Sequence, residues 1–148
     1  MTIFSVIKQE HRQLSKLFTE LQDRSDDDRS SEAVFTSLKK ELLAHVEVEK
    51  RSLYDRLVDE PATHEVVMRS IHGHDQMIGM LRELEATPMI DASWLQKLAA
   101  LRYYHDKHVQ ETEGIIFPRG KAILEKHEQK DIADDFRDRK FSFLQAFA

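Results

Sequence analysis

Apolar residues recur every three to four positions through most of the chain, and nowhere do they alternate with polar ones for long. Ile3, Ile7, His11, Leu14, Phe18 and Leu21 form the first such stripe and predict an amphipathic helix over residues 3–22. A polar, acidic stretch over residues 23–31 reads as a loop, with Ser30 or Ser31 placed to cap the next helix. Phe35, Leu38, Leu42, His45, Glu49, Leu53 and Leu57 predict that second helix over residues 32–59, and Pro61 either stops it or opens the next. A third, over residues 62–85, carries Val67, Ile71, His74, Ile78, Leu81 and Leu84, and Thr87-Pro88 breaks it. The fourth starts from a cap at Asp91 or Ser93 and carries Trp94, Leu98, Leu101, His105, His108 and Thr112. Gly114 and Phe117-Pro118 are expected to kink or interrupt it. A tail helix over residues 131–145 has Ile132, Phe136, Lys140 and Phe143 along one side. Long helices with short connections predict an all-α fold: an antiparallel up-down-up-down four-helix bundle with the tail helix packed outside it.

The stripes contain residues that do not belong in an apolar core. His11, His45, His74 and His108 place one imidazole on the core side of each bundle helix, and Glu49 joins His45 one turn later. A neutral imidazole has both an N–H and a lone pair to satisfy. A carboxylate on a core stripe is costly unless it is paired or bound to a cation. A lone core histidine is more often simply hydrogen-bonded. One on every helix points to a shared ligand, because sites in bundles are built from side chains of facing helices. Imidazole with carboxylate and no sulfur suits Fe, Mn or Zn. The donors outnumber what one tetrahedral zinc needs, so two carboxylate-bridged ions fit the count better.

These residues resemble the hemerythrin-like, or HHE cation-binding, proteins. The resemblance rests on His11, on His45-x-x-x-Glu49, on His74, and on His108 through Thr112-Glu113 followed by Phe117-Pro118. It runs over nearly the whole chain, so residues 1–148 read as a single domain of this kind. It implies a four-helix bundle around an oxo- or hydroxo-bridged pair of non-haem iron ions, with two bridging carboxylates and with Mn or Zn as possible substitutes. The implied ligands are His11, His45, Glu49, His74, His108 and Glu113, and the implied partner is O2 or another small diatomic. Many HHE domains place the second acid four residues after the last histidine, where this chain has Thr112. Glu113 comes five residues on, similar to the His-x4-Asp of oxygen-carrying hemerythrins, and on an ideal helix it lies roughly 140° round from His108. Glu111 is the reserve. Oxygen-carrying hemerythrins also have a His-x-x-x-His in the third helix, whereas here Ser70 and Ile78 flank His74. His72 points to the opposite face, and His105 is either a substitute ligand or a core residue.

Composition narrows the remaining possibilities. The chain's 148 residues are enough to bury one sizeable core. The net charge is −5 with both signs interspersed and no basic block, so a nucleic-acid partner has little support. The absence of cysteine excludes disulfides and thiolate metal sites. No segment approaches the ~20 apolar residues of a membrane span, and Met1 to Gln9 lack the apolar run of a signal peptide. A cytoplasmic protein with no membrane partner is therefore expected. There is no phosphate-binding glycine loop, no His-Glu-x-x-His and no Ser-His-Asp arrangement. His64 and His127 are expected to be solvated, Tyr54, Tyr103 and Tyr104 to be packing or surface residues, and Asp26-Asp27-Asp28 to be a solvated turn. The expectation is a di-iron protein that binds a small diatomic. On the same resemblance the alternatives are an enzyme acting on peroxide, nitric oxide or nitrosylated iron, and an iron-sensing or storage module with a partly degenerate site.

Overall fold

The computed structural model describes residues 1–23 and 28–147, with the backbone alone for residues 28 and 29. Among these residues every regular element is helical. α1 spans Ile3–Gln22, capped by Thr2, whose hydroxyl accepts from the Ser5 amide at 3.2 Å. α2 runs through an α-helical Asp28–Glu49, a π-helical turn Lys50–Tyr54 and a last α-turn Asp55–Leu57. α3 is His64–Glu85. α4 joins Ser93–Glu111, a second π turn Thr112–Ile116 and Phe117–Ile123, and α5 is Lys126–Gln145.

α1 packs on α2 and α4, and α3 on α4 and α2, which makes the up-down-up-down bundle. α5 lies across the outside of α1 and α2. The core falls into two apolar clusters stacked along the bundle. One gathers Phe4, Ile7, Leu53, Val67, Ile116 and Phe136. The other gathers Leu14, Leu42, Met77, Trp94, Leu98 and Leu101. Each stripe passes from one cluster to the other through a histidine: Ile7–His11–Leu14, Leu42–His45–Leu53, Val67–His74–Met77 and Leu101–His108–Ile116. The polar positions therefore share one level of the bundle.

Three boundaries depart from the pattern. α2 begins at Asp28, so Ser30 and Ser31 lie inside its first turns rather than ahead of it, and Ser31 is buried. Residues 24–27, including Asp26 and Asp27, lie outside the described residues. α5 begins five residues earlier than its apolar stripe suggests, because Glu125 and Glu128 form a capping box that a run of charged residues hides from hydropathy. Pro118 does not break α4. It sits in the first turn of Phe117–Ile123, just past the π turn, where a missing N–H costs least. Thr63 closes the corner between α2 and α3 by donating its buried hydroxyl to the Leu57 carbonyl at 2.6 Å. No helix among the described residues is long and apolar enough to cross a membrane.

Candidate metal centre

Glu49 lies at the centre of the polar level and is fully buried. Its Oε1 stands 3.0 Å from His74 Nε2 and 3.4 Å from His108 Nε2, and its Oε2 lies 3.6 Å from His45 Nε2. One carboxylate therefore meets imidazoles from α2, α3 and α4. His74 Nε2 and His108 Nε2 converge to 3.0 Å. From α1, the His11 ring sits 5.0 Å from the His45 ring, centroid to centroid. His11, His45, Glu49 and His108 each offer a ligand atom, and these atoms all lie within 4.8 Å of one another.

The hydrogen bonding at this level is incomplete. His11 Nε2, both nitrogens of His45, both oxygens of Glu49, His74 Nδ1 and both nitrogens of His105 are buried, and none makes a hydrogen bond of acceptable geometry. An unmet buried polar group costs about 1–3 kcal/mol, so a fold that gathers several in one layer has something else to satisfy them. The donor set is nitrogen and oxygen throughout, which suits a transition-metal cation.

The electrostatics prepare the layer for such an ion. Burial first, and His45's charge second, push His11 down to about 2. Burial and His108 push His74 down to about 4, and burial and His45 push His105 down to about 3. Burial would also lower His45, but the carboxylates of Glu49 and Glu10 outweigh it and hold this imidazole above its ordinary value. Burial would raise Glu49, but His45 first, and the close approach of the His108 and His74 imidazoles, hold it well below the usual carboxylate range. Near neutral pH His11, His74 and His105 thus offer neutral imidazole lone pairs around an ionised carboxylate, the protonation states that metal ligation requires.

The two π turns fall at the site. One begins directly after Glu49, the other one turn past His108. Such turns add a residue to the helical repeat and are frequent at functional sites. The first brings Tyr54 inward, a residue expected only to pack or to face solvent. It is fully buried, its ring stacks on His74 at 5.4 Å and 17°, and its hydroxyl lies 2.5 Å from Ser70 Oγ. Ser70 Oγ in turn lies 3.2 Å from His108 Nδ1. Burial and the Glu49 charge raise the phenol well above its ordinary value, so it stays a neutral donor. In the second π turn Thr112 is wholly buried, with Oγ1 3.4 Å from His108 Nε2. Glu113 turns toward α1 instead, where its Oε2 lies 2.7 Å from His11 Nδ1, and its side chain remains 31% exposed. Its approach is through His11, not His108, as the offset in azimuth requires.

Glu111, the reserve acid, pairs with Arg69 at the surface at 3.1 Å and does not enter the layer. His105 does, buried between Phe18 and His11 at ring distances of 5.2 and 6.2 Å. His64, His72 and His127 are exposed, as are Tyr103 and Tyr104. A cleft of about 210 Å³ between α3 and α4, with Gly73 and Lys107 at its sides, reaches inward to Ser70 and His108. His108 is also the most exposed imidazole of the layer, at 8%.

A sequence model of the hemerythrin HHE cation binding domain matches residues 2–120. This chain belongs to that family. Every histidine of the layer lies within the matched part of the HHE domain, and α5 lies beyond it. The HHE domain is similar in fold to the crystal structure of a hemerythrin HHE cation binding domain-containing protein from Mycobacterium kansasii. The TM-score is 0.88 at 18% identity, covering 99% of this chain and 89% of that one. It is also similar in sequence to a Nostoc sp. protein described as a DNA nickase, 29% identical over 151 residues. That match takes in 98% of this chain, which spans 41% of the Nostoc protein's length.

Proposed function

We propose that this HHE domain holds two non-haem iron ions at its buried histidine layer and binds O2 or a related small diatomic there. The observation that carries the reading is the set of imidazole nitrogens and carboxylate oxygens left without hydrogen bonds between two apolar clusters. His11, His45, Glu49, His74, His108 and Glu113 are the proposed ligands, with His105 near enough to join them. Bound iron supplies the one-electron chemistry and the affinity for a diatomic that these side chains lack.

The chain's own residues do the rest. Glu49 aims its two oxygens at imidazoles on different helices, so it would hold a cation beside either of them. Ser70, held by Tyr54, engages His108 Nδ1 and so fixes the ring with Nε2 facing inward. The apolar clusters above and below exclude bulk water, and the cleft over Ser70 and His108 gives a small ligand a way in.

The Nostoc relative's description raises DNA cleavage as a second reading. Backbone phosphates are gripped by clustered Lys and Arg, and this chain carries a net charge of −5 with no basic stripe, which favours the small-ligand reading. Anaerobic loading with Fe(II), metal analysis and then exposure to air test the proposal. Two ions per chain and oxygen-dependent charge-transfer bands are expected, with His45→Ala and Glu49→Ala lowering bound iron by roughly tens of fold. A folded protein that stays empty after iron-supplemented expression and ignores chelators would end it.

A further inference from the structure

Lys140 stands on the side of α5 that Ile132, Phe136 and Phe143 otherwise make apolar. It is only 18% exposed, and its ammonium lies 2.6 Å from Glu10 Oε2 and 2.8 Å from Glu41 Oε2. Glu10 is itself buried, at 9% exposure, an unusual state for an acid that belongs to no apolar stripe. It neighbours His11 in sequence, but successive residues on a helix diverge by about 100°. Glu10 therefore faces α2 and α5, while His11 faces the bundle interior. The second oxygen of Glu10 points at His45: Oε1 lies 3.7 Å from His45 Nδ1, and both atoms are buried without a hydrogen-bond partner. The opposite edge of the same ring, Nε2, faces Glu49. One turn before Lys140, the Phe136 ring lies 6.3 Å from the His45 ring.

We propose that Glu10 and Lys140 are positioning residues for the metal centre, with Glu10 accepting the Nδ1 proton of His45 and Lys140 fixing Glu10. The inference rests on the metal-binding reading of the histidine layer. A slight turn of the Glu10 side chain closes the gap to His45 and satisfies both orphaned atoms. The carboxylate then selects the tautomer whose Nε2 lone pair faces Glu49, and it raises the basicity of that nitrogen. The buried carboxylate is kept ionised and in place by the Lys140 ammonium, which Glu41 anchors from its other side. α5 lies beyond the residues matched by the HHE family model, so in this chain a helix outside that match reaches the site through three side chains in series.

The test compares wild type with Lys140→Met, Lys140→Arg, Glu10→Gln and, as a control for α5 docking, Ile132→Ala. Each is loaded with Fe(II), assayed for metal per chain and stripped with EDTA, and the metal-free forms are melted. Lys140→Met and Glu10→Gln should weaken metal retention about 10- to 100-fold, and Lys140→Arg should recover most of it. Ile132→Ala, which loosens the helix without touching the series, should lower the melting temperature of the metal-free form and leave the stripping rate near wild type. The inference is overturned if wild type holds metal and Lys140→Met sheds it no faster, or if Ile132→Ala sheds it equally fast. If wild type holds no metal, the metal-binding reading falls and takes the inference with it.

Discussion

Mild acid should unfold the metal-free protein. In an unfolded chain histidine titrates near 6.5, whereas in the fold His74 is lowered to about 4, His105 to about 3 and His11 to about 2, burial being the first cause in each. Between pH 6.5 and 4 the unfolded state therefore binds more protons than the folded one, and stability falls as pH falls. Each such imidazole removes about 1.4 kcal/mol per pH unit. Three of them acting from pH 6.5 down to 5 remove roughly 6 kcal/mol, which rivals the ~5–15 kcal/mol that holds a domain together. His45 has the opposite sign. Its folded value is raised, so its stabilisation is complete below 6.5 and is lost as pH climbs through that folded value. It adds nothing to the acid slope. Glu49 and Glu10, both lowered, stabilise above 4.5 and give that up only as pH falls further. Stability of the metal-free form should therefore peak near neutrality. Thermal melts of chelator-treated protein from pH 8 to 4.5 at constant ionic strength read this out, and a drop of roughly 15–30 °C between pH 6.5 and 5 is expected. His105→Leu should take one proton off the slope. Iron-loaded protein should hold its melting temperature down to the pH at which metal leaves, because bound imidazoles cannot protonate. A melting temperature that stays flat from pH 7 to 5 without metal, or a slope that ignores His105→Leu, would refute the reasoning.

Three other positions carry expected outcomes. Thr112→Glu puts an acid on the same face as His108 and should preserve or raise metal content. A collapse in metal analysis would show that the buried hydroxyl has a role of its own. Gly73→Phe should narrow the cleft over His108 and slow both diatomic binding in stopped flow and chelator extraction, with little change in melting temperature, since a Cβ there meets nothing within 4 Å. An unchanged binding rate would show that ligands arrive elsewhere. Gly120→Val should cost about 1–3 kcal/mol in a denaturant melt, because its Cβ would lie 3.1 Å from the Phe4 ring and 3.3 Å from Leu57.

The bundle was legible because periodicity of three and four is a direct record of which face is buried. The level of the site was legible because a histidine interrupts each of four stripes between apolar neighbours that end up in different clusters. What hydropathy could not show was the local pitch. A π turn leaves no mark in composition, so the inward placement of Tyr54 and the turning of Glu113 toward His11 were hidden. Glu10 lies off every stripe and is buried only because α5 covers it, a tertiary fact. Lys140 did carry a signal, a cation on an apolar side, of the same kind as His45 and Glu49 on α2.

The π turns have a consequence for how α2 and α4 are keyed into the bundle. A helix of constant pitch offers a single seam to its neighbours. One added residue swings everything downstream by about 100°, so the first part of α2 is phased to aim His45 and Glu49, while the widened turn buries both Leu53 and Tyr54 and the last turn is phased independently to bury Leu57. α4 does the same on either side of Thr112. Deleting a single residue from either widened turn would thus leave the upstream ligands aimed correctly while rotating the floor under them out of register.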